Sequence, residues 1–435
     1  MCGGIGKRMR PMTADKSLLE FAGKPLIVHH IESAVAAGLD KFVVIANPEN
    51  SEGIRNILSG FHDITIDYAI QQKPGGMSNA LLSATQLLSG NPFILVNSND
   101  IFTTKAYDSL LSTYESNQDY SIYITAYKVL TYFPGGYLVT NEKSELCHIV
   151  EKPPAGEEPS DLVNIVIHLH TSPEILFDYL SRIVSPSDDI YEQAIDRMIN
   201  DNYKCKVVPY TGIWKAIKYP WHILDAMDYF ANQITSHTSP ASYISDKAII
   251  DGNVILEENV RVFEGAIIRG PSYIGRNTII GNNVLIRDSF IGADCVVGYG
   301  TEVKHSYIGC NCWFHSNYIG DSVVEDNCSF GAGAVTANFR HDEASIKTIG
   351  SEDKIDTGRN KLGAIIGNGC RIGINSSLMP GIRIGANSFI GAHVCLNRDL
   401  EANKLVLAES AYRVLPNTIQ SSQNNREELR RKLTK

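Results

Sequence analysis

The sequence predicts two domains, a doubly wound α/β sheet followed by a parallel β-helix, and three observations carry this prediction. Residues 1–233 alternate short β-branched runs with helical stretches, and residues 243–415 repeat an apolar side chain at every sixth position. A polar stretch, ITSHTSPAS at 234–242, separates the two halves. Alternating strands and helices are typical of an α/β sheet. A six-residue period fits neither a helix nor an amphipathic strand, but it is the repeat of a solenoid.

Three apolar runs in the first half are predicted to be buried parallel strands, because their apolar residues are continuous. These runs are KFVVIANP (41–48), ITIDYAI (64–70) and PFILVNS (92–98), with helical spacing between them at 25–39 and 79–88. Ligands of such sheets bind at the carboxyl ends of the strands. The polar residues that follow these runs are therefore candidates for the functional site.

A glycine-rich loop opens the chain, in the stretch MCGGIGKRMRPMTADK. Such loops normally follow a buried strand, which aims their backbone amides at a phosphate group. Only Met1 and Cys2 precede Gly3. We therefore expect the first strand of this domain to be missing from the sequence.

The second half contains two blocks of the six-residue repeat. The inward positions of the first block are Ile244, Ile250, Leu256, Val262, Ile268, Ile274, Ile280 and Ile286, and those of the second are Ile366, Ile372, Leu378, Ile384, Ile390 and Leu396. The phase slips between 287 and 340. A polar insert at 339–361 is predicted to be either a loop that covers a ligand or a solvated loop. Residues 416–435 are predicted to form a surface tail.

Composition narrows the class of protein. The 435 residues carry a formal charge of −9, which argues against binding nucleic acid or an anionic membrane. No apolar run approaches the roughly 20 residues that span a bilayer. The nine cysteines include no C-x-x-C pair, as expected for free thiols in a cytoplasmic protein.

The two halves together resemble the bifunctional sugar-1-phosphate nucleotidylyltransferase/acetyltransferases, most closely the archaeal type that makes UDP-N-acetylglucosamine and related nucleotide sugars. The resemblance rests on GGIGKRMRPMTADK followed by GKP, and on HSNYIGDSVVEDNCSFGAGAVTANFRHD at 315–342. It implies a Rossmann-like nucleotidyltransferase domain without its first strand and a left-handed parallel β-helix. It also implies a homotrimer that uses acetyl-CoA as a co-substrate.

The resemblance assigns roles to residues of the first domain. A sugar 1-phosphate attacks the α-phosphorus of a nucleoside triphosphate, so developing charge must be met by amides, cations and Mg²⁺. The implied residues are Gly3, Gly4 and Gly6 in the phosphate loop, Arg8 and Lys16 as catalytic cations, Gln71 and Gly76 at the base, Glu151 and Asn164 at the sugar, and Asp100 at Mg²⁺.

It also assigns roles in the second domain. Transfer of an acetyl group to an amine needs a base, and a histidine suits that task near neutral pH. The implied residues are His315 as the base, Arg287 and Lys304 at the phosphate, Tyr318 and Asn338 at the sugar, and the Ala332 backbone at the acetyl-CoA thioester.

Two alternatives stay open at this stage. Ala216 stands where the family's W-x-D-x-G-x-P segment has a second metal-binding aspartate. With the missing strand, this leaves open an acetyltransferase whose N-terminal domain is degenerate, beside the bifunctional enzyme that the resemblance implies. The other alternative is a non-catalytic assembly protein, because some translation-initiation exchange-factor subunits share this domain pair. The motifs do not separate UTP from dTTP, or glucosamine from galactosamine.

Overall fold

The computed structural model describes residues 1–186, 189–349, 354–409, 414–418 and 423–433. The first domain has eight α-helices within the described ranges: α1 (Leu26–Ala36), α2 (Ser51–Leu58), α3 (Gly76–Ser83), α4 (Thr85–Leu88), α5 (Lys105–Ser116), α6 (Pro173–Arg182), α7 (Ile190–Asn200) and α8 (His222–Ala231). Its strands are β1 (Glu20–Phe21), β2 (Lys24–Pro25), β3 (Lys41–Ala46), β4 (Thr65–Ile70), β5 (Phe93–Val96), β6 (Asp100–Phe102), β7 (Ile122–Lys128), β8 (Gly136–Thr140), β9 (Leu146–Glu151), β10 (Leu162–His170), β11 (Cys205–Tyr210) and β12 (Trp214–Ala216).

The central sheet of this domain is mixed. Its order is β11-β7-β10-β8-β9, with β5 paired to the other part of β10. β3 and β4 pair in parallel over six residues, as their apolar runs predict. β5 runs antiparallel to β10. The prediction of a strand at 92–98 is therefore right, but its predicted parallel direction is wrong. A continuous apolar run reports burial on both faces, which does not fix strand direction.

The first two residues lie between β3 and β5. The amino group of Met1 donates to the Val96 carbonyl at 2.7 Å, and the Cys2 amide donates to the Ile45 carbonyl at 2.7 Å. Beyond them, an apolar cavity of about 690 Å³ separates β3 from β5. The glycine loop is thus attached to both neighbouring strands by two residues only.

The second domain is a parallel β-solenoid with three faces. Face 1 consists of His237–Thr238, Val254–Leu256, Ser272–Ile274, Phe290–Ile291, Tyr307–Ile308, Val323–Val324, Ile365–Ile366 and Arg383–Ile384. Face 2 consists of Tyr243–Ile244, Arg261–Val262, Ile279–Ile280, Val296–Val297, Trp313–Phe314, Ser329–Phe330, Arg371–Ile372, Phe389–Ile390 and Leu405–Val406. Face 3 consists of Ile249–Asp251, Ile267–Arg269, Leu285–Arg287, Glu302–Lys304, Tyr318–Gly320, Val335–Thr336, Ser377–Leu378 and Cys395–Leu396.

The slip in the repeat has a local cause. Ile268 pairs with Ile286, Ile286 pairs with Val303, and Val303 pairs with Ile319. Successive turns therefore shorten by one residue at a time while the inward positions stay stacked. The first strand of face 1 lies inside the stretch 234–242, so the solenoid's pairing already begins within the predicted junction.

Face 1 of the solenoid packs against the first domain. Tyr273, Phe290 and Tyr307 share one buried cluster with Phe21 of β1 and with Trp221, which directly precedes α8. This cluster buries apolar rings of both domains against one another, so the apolar contact stabilises the docking of the two domains.

The polar insert at 339–361 joins the same interface. It contains the antiparallel strands Lys347–Ile349 and Lys354–Asp356, and its buried Ile346 packs into the interdomain cluster. The Arg359 guanidinium donates to Asp225 of α8 at 2.6 Å. That the insert covers a ligand stays a prediction.

The C-terminal tail contains a ninth described helix, α9 (Gln423–Leu433), whose described side chains are exposed. Across the described residues, no helix is both long and apolar enough to cross a membrane.

Candidate active sites

The glycine loop forms one wall of a cavity of about 460 Å³ in the first domain. A Cβ on Gly3 would lie 2.1 Å from Oε1 of Gln71, so this position accepts only glycine while Gln71 keeps its place. Gly6 has a φ of +58° and starts the short 3-10 turn Lys7–Met9, which glycine adopts without strain. Six predicted residues line the cavity: Gly3, Gly4, Lys16, Gln71, Gly76 and Glu151.

Gln71 connects β4 to the start of α3. Its backbone amide donates to the Ala46 carbonyl at 2.8 Å, and its Nε2 donates to the Gly76 carbonyl at 3.0 Å. The side chain is buried against Gly3. The predicted base-reading residues Gln71 and Gly76 are thus joined directly and lie against the phosphate loop.

Lys16 lines this cavity, and Asp100 is buried behind the lining, close enough to interact electrostatically with Lys16. Asp100 is buried, and Nε1 of Trp214 donates to its Oδ1 at 3.3 Å. Burial raises the pKa of Asp100 to about 6, although Lys218, Trp214 and Lys16 oppose the shift. Burial also lowers the pKa of Lys16, against the opposing effect of Asp100. Arg8 is exposed at the edge of the loop.

The strand pairing shows what Ala216 replaces. β12 runs antiparallel to β6 and places Ala216 directly opposite Asp100. Lys218 lies two residues further on, where its Nζ donates to the Pro134 carbonyl at 3.0 Å and lies 3.7 Å from the centre of the Phe133 ring. Burial lowers the pKa of Lys218 to about 8, although Asp100 opposes the shift.

This donor set bears on the predicted magnesium site. Among the described residues, no three His, Cys, Asp or Glu side chains come together as a metal site. Mg²⁺ is often held by one or two carboxylates together with substrate phosphates. Asp100 therefore fits the role of a single carboxylate that meets a substrate-borne Mg²⁺, and the position opposite it on β12 is Ala216 rather than a second carboxylate.

A buried chain of hydrogen bonds, which the sequence did not reveal, ends on Asn164. Nε2 of His168 lies 2.6 Å from Oδ1 of Asn164, and Nδ1 of His168 lies 2.6 Å from the Tyr191 hydroxyl. Nε2 of His170 lies 2.9 Å from the same hydroxyl. Burial lowers the pKa of His168 to about 3 and that of His170 well below its usual value, so both rings are neutral.

Neutral rings give this chain one direction. The Asn164 oxygen accepts, so His168 carries its proton on Nε2 and accepts from Tyr191 at Nδ1. The Tyr191 oxygen then accepts from Nε2–H of His170. This leaves Nδ1 of His170 without a proton, and that atom is buried with no partner among the described residues. The amide hydrogens of Asn164 are not used by this chain of bonds.

The second set of predicted residues meets on face 3 of the solenoid. Arg287 and Lys304 pair in register on neighbouring turns. Lys304 Nζ lies 3.2 Å from Oδ2 of Asp321. Asn338 Nδ2 donates to the same oxygen at 2.5 Å and to the Tyr318 hydroxyl at 3.2 Å. Asp321, which stands in the HSNYIGD stretch and had no predicted role, is the buried acceptor that orders this group.

His315 occupies the corner just before the Tyr318–Gly320 strand. Its backbone amide donates to Oδ1 of Asn317 at 2.6 Å, and Nδ2 of Asn317 donates to the carbonyls of Gly331 (2.8 Å) and Ala334 (2.9 Å). Asn317 therefore binds this corner to the next turn, which carries Ala332. The imidazole of His315 is exposed at that corner.

His305 connects the second site to the first domain. Its Nδ1 lies 2.8 Å from Oδ1 of Asp321, and its Nε2 lies 2.9 Å from Oδ1 of Asp228 in α8. Burial alone would lower the pKa of His305, but the two carboxylates outweigh it and raise the pKa to about 9. The imidazolium thus links α8 to the carboxylate that orders the face 3 residues.

Comparison with known proteins agrees with the two domains predicted from the sequence. The nucleotidyl transferase family profile matches residues 1–227, and the bacterial transferase hexapeptide profile matches 253–288 and 363–398. The chain is 32% identical over 423 residues to the bifunctional sugar-1-phosphate nucleotidylyltransferase/acetyltransferase of Sulfurisphaera tokodaii, covering 92% of this chain and 97% of the relative. This chain belongs to that bifunctional family. The resemblance drawn from its motifs is confirmed.

Other similar proteins cover the chain to different extents. The bifunctional protein GlmU of Methanococcus maripaludis is 31% identical over 430 residues, covering 93% of this chain and 96% of the relative. Among solved structures, apo UDP-glucose pyrophosphorylase has a TM-score of 0.46 and 19% identity, over 53% of this chain and 96% of that one.

Proposed function

We propose that this chain makes a nucleotide sugar in two reactions. The solenoid N-acetylates glucosamine 1-phosphate with acetyl-CoA, and the α/β domain transfers a nucleotidyl group from UTP or dTTP to the sugar 1-phosphate. The Sulfurisphaera tokodaii relative is named for both activities. The observation that carries the proposal is the grouping of Lys304, Tyr318 and Asn338 at Asp321, one corner away from His315, with Arg287 in register with Lys304 on the preceding turn.

The solenoid residues suit a phosphorylated amino sugar. Arg287 and Lys304 present two cations on adjacent turns, where a phosphate group is attracted. The guanidinium of Arg287 is paired with the Glu302 carboxylate through Nη2, which orients this cation beside Lys304. Tyr318 and Asn338 are bonded to each other beside these cations and would bind the sugar hydroxyls.

His315 is assigned the proton transfer. It accepts a proton from the sugar ammonium, and the free amine then attacks the thioester carbonyl carbon of acetyl-CoA. The nitrogen loses its second proton as the carbon–sulfur bond breaks, CoA leaves as its thiol after taking up one proton, and the other proton is released to solvent. A backbone amide at Ala332 would meet the oxygen that becomes negative during this step.

The α/β domain is assigned the nucleotidyl transfer. A phosphate oxygen of the sugar attacks the α-phosphorus, and the bond to pyrophosphate breaks. Arg8 and Lys16 offset the charge that develops, and the amides around Gly4 bind phosphate oxygens. Asp100 would contact a Mg²⁺ that arrives with the nucleotide, and such an ion neutralises phosphate charge when it is bound.

The sugar and the base are bound on opposite sides of the glycine loop in this proposal. Gln71 and Gly76 meet the base. Glu151 and Asn164 meet the sugar: Oε2 of Glu151 lies 3.0 Å, and Cβ of Asn164 3.7 Å, from the point where a Cβ on Gly136 would be. The amide hydrogens of Asn164 would donate to a sugar oxygen.

One observation favours a second candidate function, in which the solenoid alone is catalytic. Ala216 lies opposite Asp100, and the ammonium of Lys218 lies near that carboxylate. Alanine provides no carboxylate there, and the lysine adds positive charge at the place where a divalent cation would bind. The α/β domain would then only bind ligands or support the fold.

We also infer a cytoplasmic homotrimer. Face 2 of the solenoid presents exposed apolar side chains that a neighbouring subunit would cover. They are Tyr243, Trp313, Phe389 and Leu405, with exposed fractions of 50%, 50%, 50% and 65%. Light scattering on the eluted protein tests this, because a monomeric mass contradicts it.

Two product assays separate the candidate functions. CoA release is measured with glucosamine 1-phosphate and acetyl-CoA, and pyrophosphate release with N-acetylglucosamine 1-phosphate and UTP or dTTP. Release of both products supports the bifunctional enzyme. CoA release without pyrophosphate supports the second candidate, and the absence of both products supports a non-catalytic assembly protein.

A further inference from the structure

A carboxylate of the solenoid contacts the segment of the first domain that precedes Lys16. Glu325 follows the Val323–Val324 strand of face 1 and is only 4% exposed. Its Oε1 accepts three hydrogen bonds, from the Thr13 amide (2.8 Å), the Thr13 hydroxyl (2.9 Å) and the Ala14 amide (2.5 Å). Its Oε2 accepts from the Asn368 amide at 2.8 Å. Both oxygens of this side chain are therefore in use.

The bonded segment, Thr13–Ala14, is separated from Lys16 by Asp15 alone. The Asp15 side chain accepts from the Ser17 amide at 2.8 Å and from Nδ2 of Asn50 at 2.8 Å. Lys16 is thus preceded by two anchored positions: Asp15 is held inside the first domain, and Thr13–Ala14 is held by the solenoid. The chain also passes closely over the solenoid, since the Pro11 carbonyl lies 2.8 Å from a Cβ placed on Gly367.

We infer that Glu325 is a positioning residue for nucleotidyl transfer, which holds Lys16 in place from the acetyltransferase domain. The inference rests on the proposed nucleotidyl transfer. Its consequence is that the nucleotidyl-transfer site in the α/β domain is complete only when the solenoid is docked against that domain. The two activities are then joined in one chain for a structural reason.

Only a carboxylate satisfies all four donors. Three N–H or O–H groups point at Oε1 and a fourth points at Oε2. A glutamine at 325 would turn an NH₂ group towards either Asn368 or the Thr13–Ala14 segment, and donor would face donor. Glu325→Gln therefore keeps the size of the side chain but breaks one side of the bridge.

The test compares Glu325→Gln with a matched control, Asp399→Asn. Asp399 accepts from the backbone N and the Nε of Arg383, both at 2.8 Å, within the solenoid. We expect Glu325→Gln to lower kcat for pyrophosphate release about tenfold and to change KM less than about twofold, because Lys16 acts at the reacting phosphate. CoA release should stay within about twofold in both variants, and Asp399→Asn should keep its pyrophosphate release.

Amide hydrogen exchange provides a readout that does not depend on activity. Residues 12–17 should exchange at least about tenfold faster in Glu325→Gln than in the wild type. If Glu325→Gln fails to fold, Thr13→Ala removes one donor from outside the solenoid and should produce a smaller change in the same direction. Unchanged kcat or unchanged exchange in these variants overturns the inference. A wild type that releases no pyrophosphate overturns the proposed nucleotidyl transfer, while faster exchange in Glu325→Gln would still show the anchoring.

Discussion

At the level of single residues, buried hydrogen bonds determine which atoms of the site face a ligand. The bonds from His170 through Tyr191 to His168 end on the oxygen of Asn164. Because Oδ1 of Asn164 accepts at the end of this chain and both histidines are neutral, the direction of each donor follows, and Asn164 offers N–H groups rather than its carbonyl. A sugar oxygen is therefore the expected partner.

Tyr191→Phe tests this direction. Loss of the hydroxyl frees His168 to change tautomer, so Asn164 is no longer held. We expect KM for the sugar 1-phosphate in pyrophosphate release to rise about fivefold, as for the loss of one hydrogen bond. Tyr203→Phe, in the same domain but outside the cavity, is the control. A larger fall in kcat than rise in KM would contradict the role given to Asn164.

The assignment of His315 as the base makes a second residue-level prediction. His315→Asn should lower kcat for CoA release by about 10²-fold or more, because the sugar ammonium loses its proton acceptor. Pyrophosphate release should not change. His393→Asn alters another exposed corner histidine of the solenoid and should leave both activities intact. Near-normal CoA release by His315→Asn would reject the assignment.

At the level of elements, strand register decides what a substitution does. The pairing of β12 with β6 places residue 216 beside Asp100, so an acidic side chain at 216 would create a pair of carboxylates. Alanine there leaves one carboxylate with two lysines nearby. The affinity of this site for a divalent cation thus depends on one position of a three-residue strand.

Ala216→Asp is expected to create a metal site that binds without substrate. Two adjacent carboxylates are the oxygen ligands that Mn²⁺ and Mg²⁺ prefer. Titration calorimetry with Mn²⁺ alone should show one site in Ala216→Asp and no binding at this place in the wild type. Ala216→Asn has the same shape without the charge and should resemble the wild type. Equal Mn²⁺ binding by all three proteins would contradict the geometry.

At the level of the whole molecule, the two domains form one structure. An apolar cluster spans them, with Phe21 and Tyr307 at 5.7 Å between ring centres. Three polar links surround it, through Glu325, Arg359 and His305. Since the His305 link also includes Asp321, the order of the face 3 residues depends on domain docking.

The raised pKa of His305 predicts how this docking depends on pH. Its pKa is about 9 in the folded chain and about 6.5 when unfolded. The stabilisation is therefore fully present below about pH 6.5 and is lost as the pH rises through 9. Asp228 is half exposed, so we expect only about 1–2 kcal/mol.

Thermal unfolding of the wild type and His305→Gln measures this effect. The difference in Tm should be about 2–4 °C at pH 6 and close to zero above pH 9.5. His237→Gln changes an exposed histidine of the solenoid and is the control. A difference in Tm that does not change with pH would show that the imidazolium is not responsible.

The sequence by itself determined the parts of this protein that depend on local order. The six-residue period determines the solenoid because each turn repeats the same inward residue. The glycine loop, Lys16, Gln71 and Gly76 line one cavity. Gln71 directly follows β4, whose carboxyl end lies beside that of the parallel strand β3. Motif order was sufficient to bring these residues to one cavity.

Only the tertiary structure decided the contacts between distant residues. Glu325 and Thr13 are 312 positions apart, and His305 and Asp228 are 77 apart. No spacing rule links such pairs, since their contact depends on how face 1 docks against α8 and against the Thr13–Ala14 segment. The predicted parallel direction of β5 was wrong for the same reason, because burial constrains a side chain's hydrophobicity but not the partner or direction of its strand.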